Sequence, residues 1–195
     1  NNKDKSILFV EVDSLVKCDW YSDGIGSSFF ILTEKIDAGK ILCQKVYKIK
    51  ENMDSYNLLK KISKGFPKQI KILFHNLERK KFIENKFIKS NYWRKRGFKD
   101  GILDFRMHAK SIYKLILALR DPYPNAVVIF KNKNFFINKA KLVKEKNKNF
   151  FMGQIIKRGK DYVTIKCYKD AIKLYNKALA NILIKVNYLW KLIKL

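Results

Sequence analysis

The order in which apolar patterns follow one another constrains the fold of this chain more than any other feature. Short apolar runs open it, two helix-period segments follow, and short runs return before a basic end. Ile7 to Val12, Ser28 to Thr33 and Ile41 to Ile49 read as strands, since each is a short apolar or alternating run bounded by polar, turn-forming residues. Gly24 and Gly26, in the loop between the first two, reach backbone angles closed to other residues. Asp54 suits the N-cap of a helix to Lys64, ended by Gly65, with Tyr56, Leu59 and Ile62 at helical spacing. Pro67 fits the first turn of the next helix, whose apolar positions are Ile70, Ile72, Leu73 and Leu77. That helix is expected to run into the basic stretch Arg79 to Lys81. Met107 to Leu119 reads as a third helix, with Ile112, Leu115, Ile116 and Leu119 on one face. Pro122 stops it by biasing Asp121 away from helical angles. Two strands follow, Ala126 to Phe130 and Phe135 to Ala140, then a lysine-rich connector, Lys141 to Lys148. Three short strands, Met152 to Lys157, Tyr162 to Cys167 and Ala171 to Leu174, look like a small antiparallel appendage. The pattern is that of an α/β protein.

Composition narrows the function. The 195 residues include 43 Lys and Arg against 17 acids, a formal net charge of +26. Such a surface attracts polyanions: nucleic acid, nucleotide phosphates or an anionic membrane. The lysines are spread along the chain rather than gathered in one stripe, so a coding bias towards Lys, Asn and Ile explains most of the charge. Cys18, Cys43 and Cys167 show no CxxC spacing, and neither a zinc site nor a disulfide framework is expected. An odd cysteine count fits a reducing cytoplasm, the expected location. No run reaches the roughly 18 apolar residues of a membrane-spanning helix.

Three segments together resemble the folate-dependent formyltransferases, the family of methionyl-tRNA formyltransferase and the nucleotide-sugar N-formyltransferases. Gly26 to Gln44 is similar to that family's strand, turn and Asp-x-Gly-x-Ile signature, with Ile36-Asp37-Ala38-Gly39 as the turn. Arg96 to Gly101, Leu103-Asp104-Phe105 and Ala109 to Asn125 resemble its Arg-x-Pro-x-Asp stretch, helix and Pro-Tyr-Pro-Gly-Ala turn. Gly153 to Ile156, Thr164 to Cys167 and Ala171 to Leu174 resemble its small closing β subdomain. The resemblance implies a truncated doubly wound, Rossmann-like sheet, then a small antiparallel, OB-like subdomain and a basic amphipathic tail. The expected divisions are 1–104 for the later part of the catalytic domain, 105–175 for the helix and closing subdomain, and 176–195 for the tail. It further implies formyl transfer from 10-formyltetrahydrofolate to a primary amine, with Asp37 catalytic and Ile36 and Asp37 at the folate. Arg96 would meet a phosphate or carboxylate of the acceptor. A nucleotide-linked aminosugar fits the short closing subdomain better than initiator tRNA. A homo-oligomer is compatible with the sequence.

The chain departs from the family in places. The family's Asn-x-His, which lies upstream of the Asp, is not found; the only histidines, His75 and His108, follow Asp37 and read as ordinary helix residues. Phe98 stands where the family has Pro, and Asn125 where it often has Gly. The opening Asn1-Asn2-Lys3 lacks Met, so the natural start is expected upstream. A fragment of a complete enzyme and a degenerate, non-catalytic copy both fit. Taken alone, Asp37 is also an ordinary Asx-turn residue beside a glycine. Two other readings stay open. Tyr92-Trp93-Arg94-Lys95-Arg96 interleaves aromatics with charge, as nucleic-acid-binding modules do. Asn176 to Leu195 could lie on an anionic membrane as a basic amphipathic helix.

Overall fold

The computed structural model describes residues 7–13, 24–34, 38–84, 94–147 and 149–183, the first of these stretches by its backbone alone. The chain divides into two compact units, residues 1–53 with 57–94, and residues 54–56 with 95–195.

In the first unit, β1 (Ile7–Asp13), β2 (Gly24–Ile31) and β3 (Ile41–Lys48) form a three-stranded sheet in that order. Both pairings are antiparallel. The strands lie near the apolar runs, but β2 begins at Gly24 and takes Gly24 and Gly26, expected in a loop, into the ladder opposite Lys48 and Val46 without a positive φ. Nor does the parallel arrangement of a doubly wound sheet form among the strands. Parallel neighbours need a crossover of roughly a dozen residues or more, usually helical. The link from β2 to β3, residues 32–40, is too short and only lets the chain turn back.

Helices α1 (Ser55–Ser63) and α2 (Phe66–Glu78) follow, and α2 lies against β3. The core between them is Phe29, Leu42, Cys43 and Leu73, flanked by Ile31, Leu77 and Phe82. Phe66 meets Phe29 edge-on at 6.4 Å. The buried face of α2 differs from the expected apolar one. Leu73 is buried, yet Ile70, Ile72 and Phe74 are exposed, and Gln69 takes a core position at 1% exposure. Gln69 Nε2 donates to the Ser27 carbonyl at 3.0 Å, and its Oε1 accepts from the Tyr47 hydroxyl at 2.9 Å. Asn76 Nδ2 donates to the Leu42 carbonyl at 2.7 Å. The helix is thus fastened to the sheet by two amides as well as by apolar packing. It stops at Arg79 rather than running on: Lys80 turns left-handed at φ 52°, and the Lys80 and Lys81 amides donate back to the Leu77 and Asn76 carbonyls.

The second unit begins with a 3-10 turn, Phe98–Gly101, and α3 (Ala109–Ala118). The hairpin β4 (Ala126–Phe130) and β5 (Lys133–Ile137) turns through Lys131 and Asn132, both at positive φ, as a tight two-residue hairpin requires. Then come β6 (Ala140–Val143), β7 (Ile155–Arg158), β8 (Tyr162–Lys166), β9 (Ala171–Tyr175) and α4 (Lys177–Ile182). The closing sheet is antiparallel and has four strands, ordered β6-β9-β8-β7. Its fourth strand, β6, arises inside the segment expected to be a lysine-rich connector. Lys141 and Leu142 are exposed there, so the run carried no alternation to mark it as a strand. One core serves the whole unit: Ile112 and Ile116 of α3, Val128 and Phe130 of the hairpin, Val163, Ile165, Ile172 and Leu174 of the sheet, and Leu179 and Leu183. Asn176 caps α4 by accepting from the Leu179 amide at 2.9 Å. The tail beyond residue 183 lies outside the described residues.

Candidate active site

The loop of the Asp-x-Gly signature joins β2 to β3, and its base is tightly closed. The Ile31 amide donates to the Lys40 carbonyl at 3.0 Å. Gly39 is buried against this bond, and a Cβ there would stand 1.5 Å from the Ile31 carbonyl oxygen. Only glycine fits such an approach. Across β3, Ile41 and Ile83 exchange both backbone hydrogen bonds, at 2.9 and 2.8 Å. Lys40 and Glu84 add an exposed ion pair at 2.7 Å. Glycine at 39 therefore serves a backbone close approach. Ile36 and Asp37 themselves lie outside the described residues.

Arg96 is exposed, in the approach to the 3-10 turn of the second unit. The Gly97 amide donates to Asp100 Oδ2 at 2.7 Å and so opens that turn. Phe98, in place of the family's Pro, is half exposed at the start of the turn, so the exchange disturbs no core. Asp104 holds Arg106 through both carboxylate oxygens, with Arg106 Nε at 3.0 Å from each and Nη2 at 2.7 Å from Oδ2. These bonds from Arg106 keep the Asp104 carboxyl below its ordinary range. Asn125 adopts φ 65°, the left-handed conformation a glycine would supply, and its amide donates to the Leu119 carbonyl at 2.8 Å.

Two groups of this region were not singled out as partners by sequence reasoning. Asp54, buried, pairs with Arg120 Nη1 at 2.7 Å. The Ser55 hydroxyl donates to the Arg120 carbonyl at 2.6 Å, with the Asp121 carbonyl at 3.2 Å. They hold the turn after α3 from 66 and 65 residues away. Nothing in the local sequence announces a partner at that distance.

His75 is exposed on α2, and His108 is exposed at the N-cap of α3, its ring 5.1 Å from that of Tyr168. Both are the ordinary helix residues expected. Tyr92 and Trp93 lie outside the described residues, while Arg94 and Lys95 are exposed. Among the described residues no cluster of His, Cys, Asp or Glu could hold a metal ion, and no helix is long and apolar enough to cross a membrane.

Residues 98–181 match the family described as "Formyl transferase, C-terminal domain". The chain is 34% identical over 125 residues to the bifunctional polymyxin resistance protein ArnA of Wigglesworthia glossinidia brevipalpis, covering 60% of this chain and 18% of that protein. It is 30% identical over 143 residues to a methionyl-tRNA formyltransferase of Prochlorococcus marinus, covering 66% of this chain and 42% of that protein. The chain thus spans less than half the length of either relative. In fold it is similar to an N-formyltransferase from Helicobacter canadensis solved with folinic acid and dTDP-3-aminofucose. The TM-score is 0.55 at 16% identity, over 80% of this chain and 56% of that one.

Proposed function

Because residues 98–181 match the formyl transferase C-terminal domain, we propose that this chain takes part in formyl transfer from 10-formyltetrahydrofolate to a primary amine. The acceptor in this reading is a nucleotide-linked aminosugar. The observation that carries the reading is the loop at Gly39. A signature turn is held at its base by a contact that only glycine permits, in a chain with a formyl transferase domain. The folate supplies a formyl carbon already activated as an amide. The acceptor nitrogen forms a bond to that carbon, the bond from carbon to the folate nitrogen breaks, and the one proton the acceptor gives up is matched by one taken up at that folate nitrogen. Asp37 orients and charge-stabilises the group that takes this proton, and Ile36 and Asp37 border the folate. Arg96 meets the acceptor's phosphate, for which its planar fork is suited. The Asn-x-His partner of this chemistry is not found in this chain, so Asp37 acts as one member of a larger set. The expected divisions at 104 and 175 belong to the same reading.

The sugar acceptor is favoured by the small closing sheet and by the fold shared with a structure that holds an aminosugar nucleotide. Initiator tRNA is the second reading, favoured by the methionyl-tRNA formyltransferase relative and by the +26 charge. Tetrahydrofolate release by the intact protein, with dTDP-aminosugar and then with methionyl-tRNA as acceptor, tests both. Asp37→Asn is expected to lower turnover by about 10²-fold or more, because positioned proton transfer contributes that much. Undiminished turnover in this variant would remove Asp37 from the reaction.

A further inference from the structure

We propose that the outer face of the four-stranded sheet is a binding site for phosphate oxyanions, centred on Thr164. The proposal stands independently of formyl transfer. Residues directly opposite in antiparallel strands project from the same face. The pairing places Lys141, Lys173, Thr164 and Lys157 in one row across β6, β9, β8 and β7. Lys141 and Lys173 stand directly opposite one another, an arrangement of like charges that destabilises a sheet. No member of the row is acidic.

Thr164, flanked by lysines on both sides, is 3% exposed, and its Oγ1 has no hydrogen-bond partner among the described residues. A buried hydroxyl without a partner is a cost that folded proteins seldom carry. The two anomalies have one remedy. A phosphate oxygen accepts from the Thr164 hydroxyl, while the other oxygens accept from the ammonium groups beside it.

Lys173 is placed to move. Its Nζ lies 4.2 Å from the ring centroid of Tyr162 and 6.0 Å from that of Tyr175. Such contacts leave a flexible stem and three donors that can swing onto an anion.

The test is calorimetric titration of the intact chain with inorganic pyrophosphate, beside co-sedimentation with phosphatidylglycerol vesicles. Saturable binding is expected. Lys173→Gln should weaken it about tenfold, as loss of a charge-assisted hydrogen bond does. Thr164→Val should weaken it about threefold while leaving the fold at least as stable, since the variant removes the orphaned hydroxyl. Lys71→Gln, on α2, should change nothing. Pyrophosphate binding identifies a free phosphate compound as the source. Vesicle binding alone, lost in Lys173→Gln, identifies a lipid headgroup. No saturable binding to either probe overturns the proposal. So does equal weakening by Lys71→Gln, which would reduce the effect to overall charge. Preferential binding of single-stranded RNA through the same lysines overturns it too.

Discussion

A methyl group at position 39 would stand 1.5 Å from the Ile31 carbonyl oxygen, so Gly39→Ala must open the base of the loop between β2 and β3. The expected cost is about 1–3 kcal/mol, the ordinary range for a substitution that forces backbone apart. Urea unfolding measures it, and an unchanged midpoint would contradict the contact. Cys167 sets a different kind of limit. Burial among apolar side chains pushes its thiol up from the ordinary 9.0 to about 12. The unfolded thiol ionises first, so stability is full below pH 9.0, falls as pH rises, and levels off once the folded thiol also ionises near 12. Thermal unfolding across that range should show the decline, and Cys167→Ala should flatten it relative to its own neutral-pH stability. At this scale the sequence was legible where a backbone conformation favours a residue type, as at Asn125, and not at Lys80, whose left-handed turn nothing in its type announces. Asn125 stands where the resembled family often has Gly, and it takes the left-handed region at φ 65°. The pairing of Asp54 with Arg120 was not legible, because a long-range partner leaves no trace in either residue's surroundings.

Helix α2 shows what periodicity can and cannot reveal. Its existence and its first turn, with Pro67, follow from spacing and composition. Its buried face does not, because two of the positions facing the sheet are amides and two of the exposed ones are Ile70 and Phe74. A hydrophobic count assigns such a stripe to the wrong side. Gln69→Leu should therefore destabilise the protein despite adding apolar surface. It leaves the Ser27 carbonyl and the Tyr47 hydroxyl without their partner, at a cost of about 2 kcal/mol. Chemical denaturation against wild type decides this, and a more stable variant would show that the amide contributes nothing. Strand β6 escaped notice for the related reason that half of a short edge strand faces solvent. The lysines that make it look like a connector also suit an edge, where charge discourages further pairing.

For the molecule as a whole, the governing quantity is the +26 charge. With 43 basic and 17 acidic residues, most cations have no acid to pair with, and the folded state concentrates their repulsion. Salt screens such repulsion over about 10 Å at 0.1 M. The melting temperature is therefore expected to rise as sodium chloride goes from about 10 mM to about 0.2 M. A fall over that range would mean that attractive pairs dominate instead.

The sequence by itself determined most of the kinds of element, many of the turns, the α/β class and the resemblance to the formyl transferases. These depend on local patterns: period, glycine and proline placement, and a motif read in order. Tertiary structure decided the antiparallel direction of the first sheet, the face that α2 buries, the fourth strand of the closing sheet and the lysine row around Thr164. Each of these depends on which segments meet and in what register. Connection length and the partners offered by distant residues settle that, and neither is written in the segment itself.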